Sequence, residues 1–487
     1  MPAARPAALF ALALVALAVA AATAGCARPA APRAVAQASP GVFRYAVVAG
    51  PGARELTIDA ELPPGPARRL GLEPGAEPFV REVAFAVGGG ALRSLPERGR
   101  AWAAPPCPAG GCRLRYRFLL AEAAAAIDEP GTAQDRGGAL LSPPSTWLLR
   151  PVGGEDPGAS RFRLRVSAPE GLRFVVGLFR SANDPAAFEA TLADLPAVPY
   201  AAFGAFEVRR VETTGGALEV VRLPGPLEVG EAPLLGWIDD AARAVTRYYG
   251  RFPVPRALVL ILPTPGRGAG FATVRGNGGA AIMARVGRAT TAAELARAWE
   301  MTHELVHVGF PNLAPRHSWL EEGMATYVEP IARARIGLIP AEAVWRGLIE
   351  GLPYGLPGPG DRGLDHTPTW GRTYWGGALF CLLADLEIRE RTGNRRSIDD
   401  ALRGVLAAGG NISVRWPIAQ VLAEGDRATG VPVLAELHAR MSAAPVAVDL
   451  DALWRRLGVR LRSEERRVTF DDAAPLAAIR EAITRAP

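Results

Sequence analysis

Apolar and polar residues alternate in short runs over the first half of the chain. "ELTIDAEL", "RLRYRF" and "RFRLRVSA" each put apolar side chains on one face of an extended strand, and "FEVRRVETTGGALEVVRL" reads as two strands around a Gly-Gly turn. Loops rich in proline and glycine separate them. The pattern changes near residue 231, where "PLLGWIDDAARAVTRYYG" spaces Leu235, Ile238, Ala242 and Val245 as one face of a helix. "RALVLILP" then has the continuous apolar character of a buried strand, "GFATVRGNGGAAIMARVG" reads as a strand interrupted by glycines, and most of the remaining chain is helical. The expected fold is multidomain α+β. It comprises a β-sandwich-like domain over 42–230, a mostly helical domain over 231–445, and an extension over 446–487 packing on the helical part.

Composition narrows the function. At 487 residues with 49% apolar content, the chain is long enough for two or three domains and too apolar to be disordered. All 55 basic residues are arginine, which excludes lysine chemistry and a Walker-type phosphate loop. The net charge of +6 is modest, and the arginines are interleaved with acids, so no nucleic-acid partner is expected.

The N-terminus, "MPAARPAALFALALVALAVAAATAGC", reads as a secretory signal over residues 1–25, and Thr23-Ala24-Gly25-Cys26 resembles a bacterial lipobox. Lipid attachment at Cys26 is expected, with ordinary cleavage nearby as the alternative. Residues 26–41 form a Pro/Ala-rich tether. Export to an oxidising compartment gives meaning to "PPCPAGGCRLRY", where four turn-forming residues separate Cys107 from Cys112 and a local disulfide is expected. Cys381, within "ALFCLLADL", reads as a buried thiol.

The chemistry concentrates in "MTHELVHVGF". Thr291 and Glu294 form a Thr-x-x-Glu capping box for a helix into this motif, with Gly309 as its C-terminal cap. Residues four apart share a helix face, so His303 and His307 can present imidazoles to one metal ion; Glu304 lies about 100° around the helix from His303. An ordinary surface helix can spell the same five residues, and a catalytic zinc site needs a third protein ligand. In "RHSWLEEGMATYVEP" a second helix begins, with Ser318 and Glu321 as a capping box that leaves Glu322 free to face the metal. The loop "GFPNLAPRH" supplies the reversal between the helices. Of the other histidines, His317 reads as an exposed loop residue or an extra oxyanion donor, His366 as a loop or pocket residue, and His438 as a solvated helix position.

"HELVH" followed by "WLEEGMATY" resembles the gluzincin metallopeptidases, the thermolysin-like clan that includes aminopeptidase N. "RTYWGGALFCLLADLEIRERTGNRRSIDDALRGVL" resembles the corresponding region of the glycyl aminopeptidase family. The resemblance implies a thermolysin-like catalytic domain and a Zn2+ ion held by His303, His307 and Glu322. It also implies Glu304 as general base and Tyr374 as donor to the oxyanion. There are departures. Residues 308–321 make a shorter spacer between His307 and Glu322 than in aminopeptidase N relatives, and Gly376 stands where a lysine is expected. "GNGGAAIMA", read as the substrate-lining edge strand, lacks Gly-x-Met-Glu-Asn, and no acid occurs from Gly268 to Thr291, so specificity for a free amine is not supported. No room is left before Pro487 for the PDZ domain common in glycyl aminopeptidases. Gly278 and Gly279 are expected to let a substrate strand pair with that edge. The resulting expectation is an exported zinc metallopeptidase, lipid-anchored at the envelope and facing the periplasm, acting on a peptide or protein substrate. The alternative is a non-catalytic envelope scaffold that keeps the fold.

Overall fold

The computed structural model describes residues 41–153, 160–462 and 467–485; the signal sequence, Cys26 and nearly all of the tether lie outside them. Alternation decides the first half. The strands Val42–Ala49, Leu56–Leu62, Cys112–Phe118 and Arg161–Ser167 lie side by side in an eight-stranded sheet. Phe43, Tyr45, Ile58, Leu114, Tyr116 and Phe162 point inward. On the other face arginines pair with acids, as Arg115 with Asp59 at 2.6 Å and Arg163 with Glu189 at 3.0 Å. The inner face packs on short strands and the Pro144–Trp147 turn, where buried Tyr45 and Tyr116 hydroxyls donate to the carbonyls of Leu149 and Trp147, each at 2.8 Å. Cys107 and Cys112 are joined by a disulfide, and Cys381 is free and buried.

A five-stranded sheet forms the wall between the two halves, in the order Val208–Thr213, Gly216–Arg222, Arg256–Thr264, Ala281–Gly287, Ala269–Arg275. Leu258, Leu260 and Met283 on one face pack against Leu141, Val175 and Tyr200 of the first half. Val259, Ile261 and Ile282 on the other join the core of the helices. Buried Arg256 ties the layers by donating to the carbonyls of Val176 and Leu178 while pairing with Glu219. The expected boundary at 230 therefore needs correction. The hairpin over 208–222 pairs in parallel with Arg256–Thr264 across a long helix, Glu231–Tyr249, and local alternation carries no sign of such a distant partner.

The mostly helical half forms as expected, and the C-terminal segment joins its core. The helix Leu450–Leu457, a strand pair and the helix Ala477–Thr484 pack there, and the Arg335 guanidinium donates to the Ile483 carbonyl at 2.8 Å. Among the described residues no helix is long and apolar enough to cross a membrane. Two long helices of this half, Ser318–Arg335 and Gly377–Thr392, cross where glycine meets glycine. A Cβ on Gly323 would lie 2.2 Å from Gly377 Cα, and one on Gly377 would lie 1.9 Å from the Trp319 carbonyl oxygen. Beside the crossing, buried Asp385 accepts from the Tyr327 hydroxyl and the Arg389 Nε, both at 2.9 Å.

Gly377→Ala keeps a helical backbone but forces these helices apart, so it is expected to destabilise the protein by about 1–3 kcal/mol. A denaturant titration reads this as a lower midpoint; an unchanged midpoint contradicts the close approach.

Candidate metal centre

The capping box at Thr291 forms: its hydroxyl accepts the Glu294 N–H at 3.3 Å, and the Glu294 carboxylate accepts the Thr291 N–H at 2.8 Å. It caps only Ala292–Arg297, however. The chain breaks at Ala298, whose carbonyl accepts the Trp237 indole N–H, and a second helix, Glu300–His307, carries the motif. Gly309 has no left-handed backbone; it is glycine because a Cβ would lie 2.4 Å from the Tyr249 ring. The Ser318 capping box does not form either. The helix is entered through a tight turn at Pro315–His317, and Glu321 turns back to accept the Leu313 N–H at 3.1 Å, which secures the reversal loop.

These contacts bring three donor atoms to one point. His303 Nε2 lies 3.3 Å from His307 Nε2 and 3.3 Å from Glu322 Oε2, and His307 Nε2 lies 3.5 Å from the same oxygen. Tetrahedral zinc with bonds of about 2.0–2.1 Å separates its ligand atoms by about 3.3–3.4 Å, so the triangle has the edge length that the ion requires. The donor set, two imidazoles and a carboxylate, suits zinc equally well. Burial pulls the His307 pKa down, but the Glu322 charge outweighs it and raises it to about 9. Burial opposes ionisation of Glu322, yet His307 and His303 hold its carboxyl well below the usual range. For His303, burial wins and the pKa falls.

Glu304 and Tyr374 flank the triangle in a cavity of about 470 Å³. Glu304 is 8% exposed, and burial pushes its carboxyl up to about 7, against a bond from the Val274 backbone. Tyr374 sits in a single π turn, Arg372–Gly376, a wider winding that re-aims its side chain. The turn is pinned by Arg372, whose Nε lies 2.7 Å from Asp361 Oδ2 in a buried ion pair. Burial and the charges of Glu322 and Glu304 push the Tyr374 phenol up to about 12, so it remains a hydrogen-bond donor at neutral pH.

Gly278 and Gly279 do not line this cavity. Gly279 bridges to Leu178, the Gly278 carbonyl accepts from Phe179 and its N–H donates to Ser413, so both glycines are spent on packing against the first half and the loop at 413. A Cβ on Gly279 would fall 2.1 Å from the Gly177 carbonyl oxygen. They form the turn between two antiparallel strands, and the strand that lines the site is Ala269–Arg275, at the edge of the sheet. Sequence reasoning also missed Trp299, Glu300, Asn312 and Glu321 in the cavity wall. Glu300 was within reach of helical spacing, one turn before His303.

His317 is buried rather than exposed, and it is no oxyanion donor: its Nδ1 lies 2.8 Å from Asp365 Oδ1, which also accepts the Trp319 indole N–H at 2.7 Å. His438 is half-buried, stacked on Trp319 with Nε2 3.7 Å from Asp365 Oδ2. The Arg316 Nε donates to His317 Nε2, so this second cluster is a hydrogen-bonded clamp between the helix of Glu322 and the loop leading to Tyr374. His366 is exposed in that loop.

No family model matches the sequence, and no curated protein is similar to it at the level of sequence. Solved structures are. An aminopeptidase N family protein from Idiomarina loihiensis superposes with a TM-score of 0.62 at 13% identity, over 86% of this chain and 78% of that one. An M1 zinc metallopeptidase from Deinococcus radiodurans gives 0.52 at 15% identity, over 84% and 94%. A mutant M1 zinc metallopeptidase from Deinococcus radiodurans, bound to a Tyr-Ser-Ala substrate, gives 0.51 at 16% identity, over 84% and 95%. At these identities the likeness is one of architecture alone: a β-rich first half followed by a helical second half is the two-domain fold of the M1 zinc metallopeptidases.

Proposed function

We propose that the protein is a zinc-dependent peptide hydrolase, with His303, His307 and Glu322 holding the ion. The observation that carries this reading is the triangle of donor atoms with edges of 3.3–3.5 Å, beside which Glu304 and Tyr374 face one cavity. Zinc bound there supplies Lewis acidity, which makes a water acidic and polarises a peptide carbonyl. Glu304 accepts the proton of the attacking water and delivers it to the leaving amine. The Tyr374 hydroxyl donates to the carbonyl oxygen as negative charge develops there. The edge strand Ala269–Arg275 leaves backbone groups free to pair with an extended substrate.

A scaffold that had lost its chemistry would gain nothing from an acid buried beside the ligand triangle, which favours an enzyme over the non-catalytic alternative. Burying a carboxyl costs stability, and proton transfer is the use that offsets the cost. The same proposal includes export, with Cys26 lipidated and the domain facing the periplasm; this part rests on the N-terminal sequence alone.

Purified protein is expected to carry one zinc per chain and to cleave peptides. Glu304→Gln should keep the metal while kcat falls about 10²- to 10⁴-fold. Glu322→Ala should lose the metal, as read by metal analysis after dialysis. Full zinc occupancy without cleavage of a diverse peptide library would contradict the hydrolase reading. Tyr374→Phe is expected to lower kcat about 10²- to 10³-fold with little change in KM, the signature of an interaction made in the transition state; an unchanged kcat removes Tyr374 from the mechanism.

A further inference from the structure

Single exposed apolar side chains are ordinary on a folded chain, whereas exposed apolar side chains gathered in one place mark a binding surface. Among the described residues the exposed large hydrophobic side chains are few: Val48 and Val87 on the first half, and four aromatics, Phe271, Trp299, Tyr354 and Trp370, between 47% and 67% exposed. All four aromatics belong to one place. Phe271 and Trp299 line the cavity itself. Trp370 and Tyr354 continue outward from Tyr374, with ring centroids 6.2 Å from Trp370 to Tyr374 and 5.8 Å from Tyr354 to Trp370. On the inner side Tyr374 stacks at 6.4 Å on His303, which meets Trp299 at 5.3 Å. Tyr354, Trp370, Tyr374, His303 and Trp299 thus form an unbroken row with a member of the ligand triangle within it and exposed aromatics at both ends, and Phe271 lines the same cavity.

The row is rigidly mounted. Trp370 lies within, and Tyr354 shortly before, the segment closed by the Arg372–Asp361 pair, and the Arg372 guanidinium also donates to the Gly355 carbonyl. Gly371 passes so close to Tyr354 that a Cβ would lie 2.2 Å from its carbonyl oxygen. The apolar faces are therefore presented in fixed positions. Their spacing has a counterpart in an extended peptide, whose side chains on one face recur about every 6.6 Å, two residues at about 3.3 Å each. The free edge of Ala269–Arg275 offers such a peptide a backbone partner along the same cavity.

From this we propose that the aromatic row is the specificity surface of the site, selecting extended peptide segments with bulky apolar side chains at alternate positions on both sides of the bond to be cut. This deepens, and rests on, the peptide-hydrolase reading. The edge strand carries no acid from Gly268 to Thr291, so the recognition proposed for it runs through the peptide's backbone and side chains.

Binding separates this proposal from catalysis. The full chain carrying Glu304→Gln is titrated with two blocked heptapeptides, N-acetylated and C-amidated, one with Leu and Phe at alternate positions between serines and one with Ala replacing each of them. The apolar peptide is expected to bind about tenfold or more tightly. Adding Trp370→Ala or Trp299→Ala should remove about fivefold or more of that preference and leave the Ala peptide unaffected, with the thermal midpoint unchanged for Trp370→Ala, whose side chain is the more exposed of the two. Tyr354→Ala and Phe271→Ala are independent second variants should either tryptophan change impair folding. Equal binding of the two peptides, or a preference that survives all four substitutions, overturns the proposal. Preferential binding that depends on the rings, together with wild-type protein that cuts nothing, upholds the surface and sinks the hydrolase reading instead.

Discussion

Two imidazole nitrogens and a carboxylate oxygen meet within 3.5 Å of one another in a largely buried position, and the second half of the molecule is arranged around keeping them there. Left to themselves, lone pairs so close together repel, and shared protons relieve only part of the cost. A divalent cation held at their centre would convert the crowding into coordination. The triangle spans two helices, so its edges depend on the angle and separation of those helices. The reversal between them is set by Glu321 bonding back to Leu313, while the helix of Glu322 is itself seated where Gly323 meets Gly377 of the helix that follows Tyr374, and Asp385 locks Tyr327 and Arg389 beside that crossing.

The same economy governs what surrounds the triangle. Tyr374 reaches it from a π turn because the buried pair of Arg372 with Asp361 and the clamp of His317, Asp365 and His438 hold its loop against the helix of Glu322. The edge strand reaches it from the opposite side, on a sheet whose other face is packed on the first half and tied there by Arg256. The β-rich half is thus part of the wall behind the site, which accounts for a sheet that takes strands from both sides of the expected boundary.

What could be read from the sequence was what is encoded locally. His303, His307 and Glu304 follow from helical spacing, and Glu322 follows once the next helix is recognised, because each helix carries its own periodicity. Alternation likewise predicted the strands of the first half. Tyr374 came from resemblance, since nothing in "RTYWGG" announces a π turn. The misses share a cause. Whether glycines line a cavity or let two segments touch depends on what lies opposite them, and Gly278, Gly279 and Gly309 all face neighbours remote in sequence. His317 looked like a loop histidine because its partner, Asp365, is far along the chain. The aromatic row was invisible for the same reason, its members coming from three separate segments.

The most direct test of the account is diffraction from crystals of the zinc-loaded protein, measured on both sides of the zinc absorption edge. The account predicts one strong anomalous peak about 2.0–2.2 Å from His303 Nε2, His307 Nε2 and a Glu322 carboxylate oxygen, with one position left open toward Glu304 and Tyr374. A peak elsewhere, a fourth protein ligand closing the site, or no peak from protein shown to bind zinc in solution would contradict it.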